Sequence, residues 1–318
     1  MSRPHRYVLP FLIALIFDTH PFFAESLRTT TVSLRPYPGP LLVVPVKING
    51  SGPYDFILDT GSTVTVLDGP LFRELGLRSD GNAQLTSPVA TVAQFRATAG
   101  EVSVNGLGVV NLRVAEMDTL RLGSMDRLVR GVLGENFLDQ FDLLIDNEHR
   151  QVTLDATAEL ANSFDGEHLT VSPMSSFQGS FVAHRPIVSV IVPSYNCHPL
   201  RLLLDTGAAA LAIFPREGTQ RRALNGGNAT AVQMTTLNGD LACATWRDKL
   251  HWGKSAVSWV DVLACQGATA EKVDNEGSLP THIFKRILVI HSGMYVVVNP
   301  VRRSTAAHEV AQILLSGR

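Results

Sequence analysis

The tripeptide Asp-Thr-Gly occurs twice in this chain, at 59–61 and at 205–207, an offset of 146 residues. Each copy ends an apolar run, Phe56-Ile57-Leu58 in the first and Leu202-Leu203-Leu204 in the second. Each is followed by another such run, Val64 to Leu67 and Leu211 to Phe214, and Pro53 and Pro199 obey the same shift. Farther on, Gly131-Val132-Leu133-Gly134 falls on Gly277-Ser278-Leu279-Pro280, and Phe137, Leu138 and Phe141 fall on Ile283, Phe284 and Ile287. At average residue usage one Asp-Thr-Gly arises by chance in roughly 5–10% of chains this long. Two with matched flanks and a matched distant landmark do not. The chain is a duplicated unit, and that must be settled first, because a missed repeat miscasts the whole fold.

The unit is rich in β signals. Leu41 to Ile48 and Tyr54 to Leu58 form a hairpin pattern around Asn49-Gly50-Ser51-Gly52, and Val102 to Val104 and Val109 to Val114 another around Asn105-Gly106. Asn and Gly supply the positive φ that tight hairpins need. Short helices fit Pro70 to Leu75 and Glu135 to Phe141. The second unit repeats the pattern with Ile187 to Val192, Leu200 to Leu204, Val257 to Leu263 and Tyr295 to Val298. The expected division is a leader at 1–24, a first lobe at 30–155, a Ser- and Ala-rich linker at 156–185, a second lobe at 186–304 and a C-terminal helix at 305–318.

Composition narrows the function. With 45% hydrophobic and 18% charged residues the 318-residue chain is globular, and its formal net charge of −2 offers no basic field for nucleic acid. The ten His show no metal-ligand spacing beside Cys or acidic partners, so neither a metal nor a cofactor is expected. There is no G-x-S-x-G elbow and no phosphate-binding loop. Of the three cysteines, Cys243 and Cys265 could form a disulfide with Cys197 left over, or all three could be buried thiols. Arg3 and Arg6 precede the apolar run Val8 to Phe17, with Ala24 as a small residue for cleavage. This reads as export to the periplasm or exterior, or as an uncleaved N-terminal anchor. Trp246, Trp252 and Trp259 read as core or rim aromatics, His149, His168, His251 and His291 as surface or satisfied core residues, and Asp55 and Asp142 as structural.

Two identical acidic loops in two homologous units suit one chemistry. Peptide hydrolysis without a metal or covalent intermediate needs a base to activate water and an acid to protonate the leaving nitrogen. Two carboxyls about 3 Å apart cannot both ionise, so they share a proton and serve both roles. A two-fold arrangement of the units would bring Asp59 and Asp205 together. Gly61 and Gly207 would let the loops approach without Cβ clashes, while Thr60 and Thr206 could reach across to the opposing backbone.

Asp59-Thr60-Gly61-Ser62 and Asp205-Thr206-Gly207-Ala208 resemble the active-site loops of aspartic peptidases. Gly131-Val132-Leu133-Gly134 followed by a short helix resembles the retropepsin signature. The resemblance covers roughly 40–155 and 186–300 and is nearest to bacterial retropepsin-like aspartyl proteases with two fused units. It implies an all-β fold of two retropepsin-like β-barrel lobes about a pseudo-two-fold axis, a monomer with an internal pseudo-dimer, and a protein or peptide substrate. It also implies flap hairpins, expected between Asn82 and Ala99 and between Asn225 and Asp240. A 30-residue linker would equally allow the halves to swap between chains.

The second unit departs from the pattern. Ser278-Leu279-Pro280 replaces two apolar residues and a glycine, so that crossing is expected to differ locally, and Ala208 stands where the first unit has Ser62. In pepsin-like enzymes a hydroxyl at the Ser62 position donates to a carboxylate oxygen. On that resemblance Asp59 is expected to rest ionised and Asp205 to hold the proton. The Ser278–Pro280 departure also leaves a second expectation, a non-catalytic peptide-binding or scaffolding protein on the same fold.

Overall fold

Asn-Gly turns and proline-bounded apolar runs lay out the first sheet. In a computed structural model the described residues are 28–37, 39–86, 91–117, 129–171, 185–215, 229–236, 239–265 and 275–303. The expected leader at 1–24 and C-terminal helix at 305–318 lie outside them. After β1 (Thr29–Ser33), β2 (Val43–Ile48) and β3 (Ser51–Leu58) are joined through Asn49 and Gly50, both at positive φ (51° and 79°). That turn matches the right-handed twist of paired strands. The Asp59 loop leads into β4 (Thr65–Asp68) and the helix Gly69–Glu74. Asp68 caps this helix, accepting from the Leu71 N–H at 2.6 Å, and pairs with Arg130 at 2.8 Å. There follow β5 (Gly81–Thr86), β6 (Thr91–Val104), β7 (Leu107–Met117), β8 (Val129–Leu133), the helix Glu135–Leu138, β9 (Asp142–Asp146) and β10 (Gln151–Asp155). The first seven-stranded sheet has the order β2-β3-β8-β4-β7-β6-β5, and β2 also pairs with β6.

The segment 156–185, expected as a linker, carries a helix at Glu159–Ser163 and two short strands, β11 (Phe164–Asp165) and β12 (His168–Thr170). Then come β13 (Ile187–Val192), β14 (Asn196–Asp205), β15 (Leu211–Ile213), β16 (Thr230–Thr236), β17 (Gly239–Trp252), β18 (Ser255–Cys265) and β19 (Gly277–Pro280). A 3₁₀ turn at Thr281–Ile283 precedes β20 (Arg286–Ile290), β21 (Tyr295–Val298) and β22 (Val301–Arg302). The second seven-stranded sheet has the order β13-β14-β19-β15-β18-β17-β16, with β13 also pairing with β17. Strand for strand, it is the order of the first.

The registers repeat as well. Phe56 pairs with Gly131 and Leu58 with Leu133 in the first sheet; Leu202 pairs with Gly277 and Leu204 with Leu279 in the second. Gly131 and Gly277 sit where the crossing strands touch, and a Cβ on either would overlap the Val66 or the Ala212 carbonyl oxygen. That is the physical content of the glycine shared by the two landmarks.

A third sheet draws on both halves of the chain, in the order β1-β10-β9-β20-β21-β12. At its middle β9 and β20 run antiparallel, with Ile145 opposite Ile287, Leu144 opposite Leu288 and Leu143 opposite Val289. Residues 143 and 289 are themselves repeat-equivalent, so a local two-fold relating the units would pass through this pair. The main apolar core runs from Val44, Phe56 and Leu133 through Leu143 and Ile145 to Ile287, Leu204 and Leu279 without a break between lobes.

The segments expected as flaps contain antiparallel hairpins, β5–β6 and β16–β17, whose tips at 87–90 and 237–238 lie outside the described residues. Cys243 and Cys265 are directly paired across β17 and β18 and form a disulfide. Trp252 is buried edge-on against Phe284, whereas Trp259 is exposed beneath the Lys249 ammonium.

Candidate active site

Asp59 and Asp205 stand at the ends of β3 and β14, where each strand breaks out of its sheet. The two loops interlock through their threonines. The Thr60 N–H donates to Thr206 Oγ1 at 3.0 Å, and the Thr206 N–H donates to Thr60 Oγ1 at 3.1 Å. In turn Thr60 Oγ1 donates to the Leu204 carbonyl at 2.7 Å, and Thr206 Oγ1 donates to the Leu58 carbonyl at 2.6 Å. Every contact has a counterpart with the lobes exchanged. Both threonines are buried, so these bonds satisfy groups that water does not reach.

This clasp brings the carboxyls together. Gly61 donates its N–H to Asp59 Oδ1 and Gly207 to Asp205 Oδ1, both at 2.8 Å. A Cβ on Gly61 would lie 2.6 Å from the carboxyl carbon of Asp205, and one on Gly207 would lie 2.7 Å from that of Asp59. Only glycine fits at these two positions. The carboxyls are hydrogen-bonded to each other, and both residues are half-buried.

Their environments differ. Burial first, then the charge of Asp205, pushes Asp59 well above the usual carboxylate range. Burial also raises Asp205, but the Ser278 hydroxyl, the hydrogen bond from Asp59, the Gly207 N–H and the Arg185 charge all favour its ionised form. Both carboxyls are raised, so the pair retains a proton at a pH where a free carboxyl would have lost it. The contact behind the expectation that Asp59 rests ionised is absent: Ser62 turns its hydroxyl to the Val64 carbonyl at 2.9 Å rather than to Asp59.

All eight residues singled out in the two loops meet here, with Ala208 accepting at its main chain from the His282 side chain. Two neighbours were missed. Ser278 carried a legible signal, a polar residue on an apolar position of the repeat. Arg185, buried just before β13, carried none.

Pro280 disturbs less than expected. In the first lobe Gly134 donates to Thr65 Oγ1 at 3.2 Å, and Thr65 donates through its N–H and hydroxyl to Asn136 Oδ1 at 2.8 and 2.9 Å. The repeat-equivalent residues are Pro280, Leu211 and His282. The donor and its acceptor have vanished together, so neither is left without the other, and Pro280 keeps its register opposite Asp205.

Another buried pair joins the lobes. Glu135 Oε2 lies 3.1 Å from His291 Nε2, close enough for charge pairing though off the hydrogen-bond direction, and His291 Nδ1 is 2.7 Å from the Phe141 carbonyl. Burial raises Glu135 in spite of His291. Burial pulls His291 down, but the Glu135 charge and the Phe141 carbonyl more than reverse it and leave it raised. Asp142 anchors the same turn, accepting from the Ser292 N–H and hydroxyl at 3.0 and 2.8 Å. Among the described residues no cluster of three or more His, Cys, Asp or Glu could hold a metal, and no helix is long and apolar enough to cross a membrane.

Residues 44–137 match the family model described as aspartyl protease. No curated protein matches the chain. Among solved structures it is similar to a retropepsin-like aspartic protease from Rickettsia conorii, at 20% identity and a TM-score of 0.30, covering 40% of this chain and 89% of that one. The matched segment holds Asp59 with its loop, Gly131 to Gly134 and the start of the helix behind them. The first lobe is thus similar to the aspartyl proteases over residues 44–137.

Proposed function

We propose that the protein is an aspartic endopeptidase whose water is activated between Asp59 and Asp205. One observation carries the reading: two Asp-Thr-Gly loops of one chain clasp each other and hold their carboxyls in mutual hydrogen bonding. In the proposed cycle the Asp205 carboxylate takes a proton from water as the water oxygen bonds to the peptide carbonyl carbon. Asp59 gives its proton to the carbonyl oxygen, producing a neutral tetrahedral diol. Collapse of the diol breaks the C–N bond, with one carboxyl protonating the nitrogen and the other taking a hydroxyl proton, which releases acid and amine. The β5–β6 and β16–β17 hairpins would cover the substrate.

A monomer suffices, because one chain supplies both aspartates. Export is also part of the proposal, supported by the Cys243–Cys265 disulfide and the apolar run after Arg6.

The test is cleavage of an unfolded protein by the full chain. Activity should be blocked by a statine-type inhibitor and lost in Asp59→Asn and in Asp205→Asn. Turnover that survives either substitution sinks the reading. Peptide affinity without turnover in the unmodified protein would favour the non-catalytic alternative, and a dimer by solution sizing would favour exchanged halves.

A further inference from the structure

The two lobes repeat strand for strand, so a position where they differ in chemistry next to the dyad is informative. β19 lies between β14 and β15, and Ser278 pairs with Leu203 on one side and Ala212 on the other. Cross-strand partners point to the same face, and so do residues two apart on one strand. Ser278, opposite Leu203, therefore shares a face with Asp205 and is its diagonal neighbour, and its hydroxyl acts on the Asp205 carboxyl. In the first lobe the same position is Val132, opposite Ile57 and packed with Val64 and Val66 in an apolar cluster. Asp59 thus has a methyl-bearing neighbour where Asp205 has a hydroxyl.

The other hydroxyls of the two loops are committed elsewhere. Ser62 donates to Val64, and Thr60 and Thr206 donate to main-chain carbonyls across the clasp.

We infer that Ser278 is a positioning residue that sets the polarity of the dyad: its hydroxyl, donated to the Asp205 carboxyl, holds Asp205 as the base and leaves the shared proton on Asp59. This rests on the dyad being the peptidase centre proposed above. The other titratable or charged groups around Asp205 are Asp59 from the facing loop, Arg185 from the segment before β13, and His282 from the turn after β19. Arg185 acts in the same direction as Ser278, and burial pulls His282 below the usual histidine value, so the contribution of Ser278 must be isolated by substitution.

The experiment uses the full chain with ¹³Cγ-labelled aspartate. The two dyad carboxyl resonances are assigned by their loss in Asp59→Asn and Asp205→Asn and followed against pH in the parent, Ser278→Ala, Ser278→Thr and Ser62→Ala. In the parent the lower titration step should follow the Asp205 resonance. Ser278→Ala should raise that step by about one pH unit, the scale of one hydrogen bond to a charged group. Ser278→Thr should restore it, and Ser62→Ala should leave it in place. The acid limb of kcat/KM should move in parallel. A lower step that follows Asp59, or one that responds to Ser62→Ala and not to Ser278→Ala, overturns the assignment. Because the resonances titrate without turnover, a protein that cleaves nothing yet shows the Ser278→Ala shift would refute the peptidase reading and keep the polarity.

Discussion

Thr206→Val tests whether the crossed threonines hold the lobes together. The substitution keeps the branched shape and removes only Oγ1. It takes away the donor to the Leu58 carbonyl, now at 2.6 Å, and the acceptor of the Thr60 N–H, now at 3.0 Å. Both groups lie where Thr206 is 2% exposed and Thr60 0%, so water cannot take over. Each orphaned group costs about 1–3 kcal/mol, and the added buried methyl returns about 0.8 kcal/mol. The expected loss is about 1–5 kcal/mol, a large share of the ~5–15 kcal/mol that holds a typical domain. In thermal terms that is on the order of 10 °C. Urea unfolding followed by tryptophan fluorescence measures it, since Trp252 is buried against Phe284. Thr206→Ser retains the hydroxyl and should stay within about 1 kcal/mol of the parent. Thr60→Val removes the mirror-image pair of bonds and should cost what Thr206→Val costs. A Thr206→Val protein within about 0.5 kcal/mol of the parent, or a serine variant as weak as the valine, would refute the clasp.

Asp59→Asn should destroy activity yet raise the melting temperature at pH 7. A carboxyl whose folded pKa is raised gives stability that is present below its unfolded value of about 3.9 and lost as pH rises through the folded value, so the variant's advantage should vanish near pH 3. His291 is likewise raised, and its stabilisation should be complete below about pH 6.5 and fade above it. Glu135, raised by burial, adds a loss of the same sign that begins at lower pH. The urea midpoint of His291→Gln should therefore depend less on pH between 6.5 and 9 than that of the parent, and an equal dependence would exclude the Glu135–His291 pair as its source. Replacing both Cys243 and Cys265 by serine opens a link spanning 22 residues and should cost up to about 3 kcal/mol in urea unfolding. The same double variant should abolish any effect of reductant on the midpoint.

Much of this architecture was legible before any coordinates, because the repeat constrains both ends of each landmark. The Asn49-Gly50 and Asn105-Gly106 turns, the Asp59 and Asp205 loops and the glycines at 131 and 277 obey local steric rules that sequence states directly. Hydroxyl direction does not follow such rules. Ser62 beside Asp59 suggested a carboxylate contact, but its rotamer serves Val64, while Ser278, distant in sequence, comes to Asp205 only because β19 crosses beside β14. Pro280 looked like damage because its compensation lies 69 residues away, where Leu211 has lost the hydroxyl that Thr65 uses in the other lobe. The Glu135–His291 pair was invisible for the same reason: it forms across the lobes, between residues 156 positions apart in the chain.

The sheet shared by the two halves carries a consequence for the halves taken alone. Cut between the lobes, the first half would end in β9 with its row of N–H and C=O groups bare along the line now covered by β20. An open apolar strand edge is a template for the next chain. Because Leu143 lies opposite its own repeat-equivalent, Val289, the bare edge nearly complements itself. Two free copies of the first half should therefore zip edge to edge, each bringing its own Asp-Thr-Gly-Ser loop and its own Val132. The resulting homodimer would have identical neighbours on both aspartates and nothing to tell acid from base. In the single chain the two halves differ in chemistry beside their aspartates while keeping a common seam.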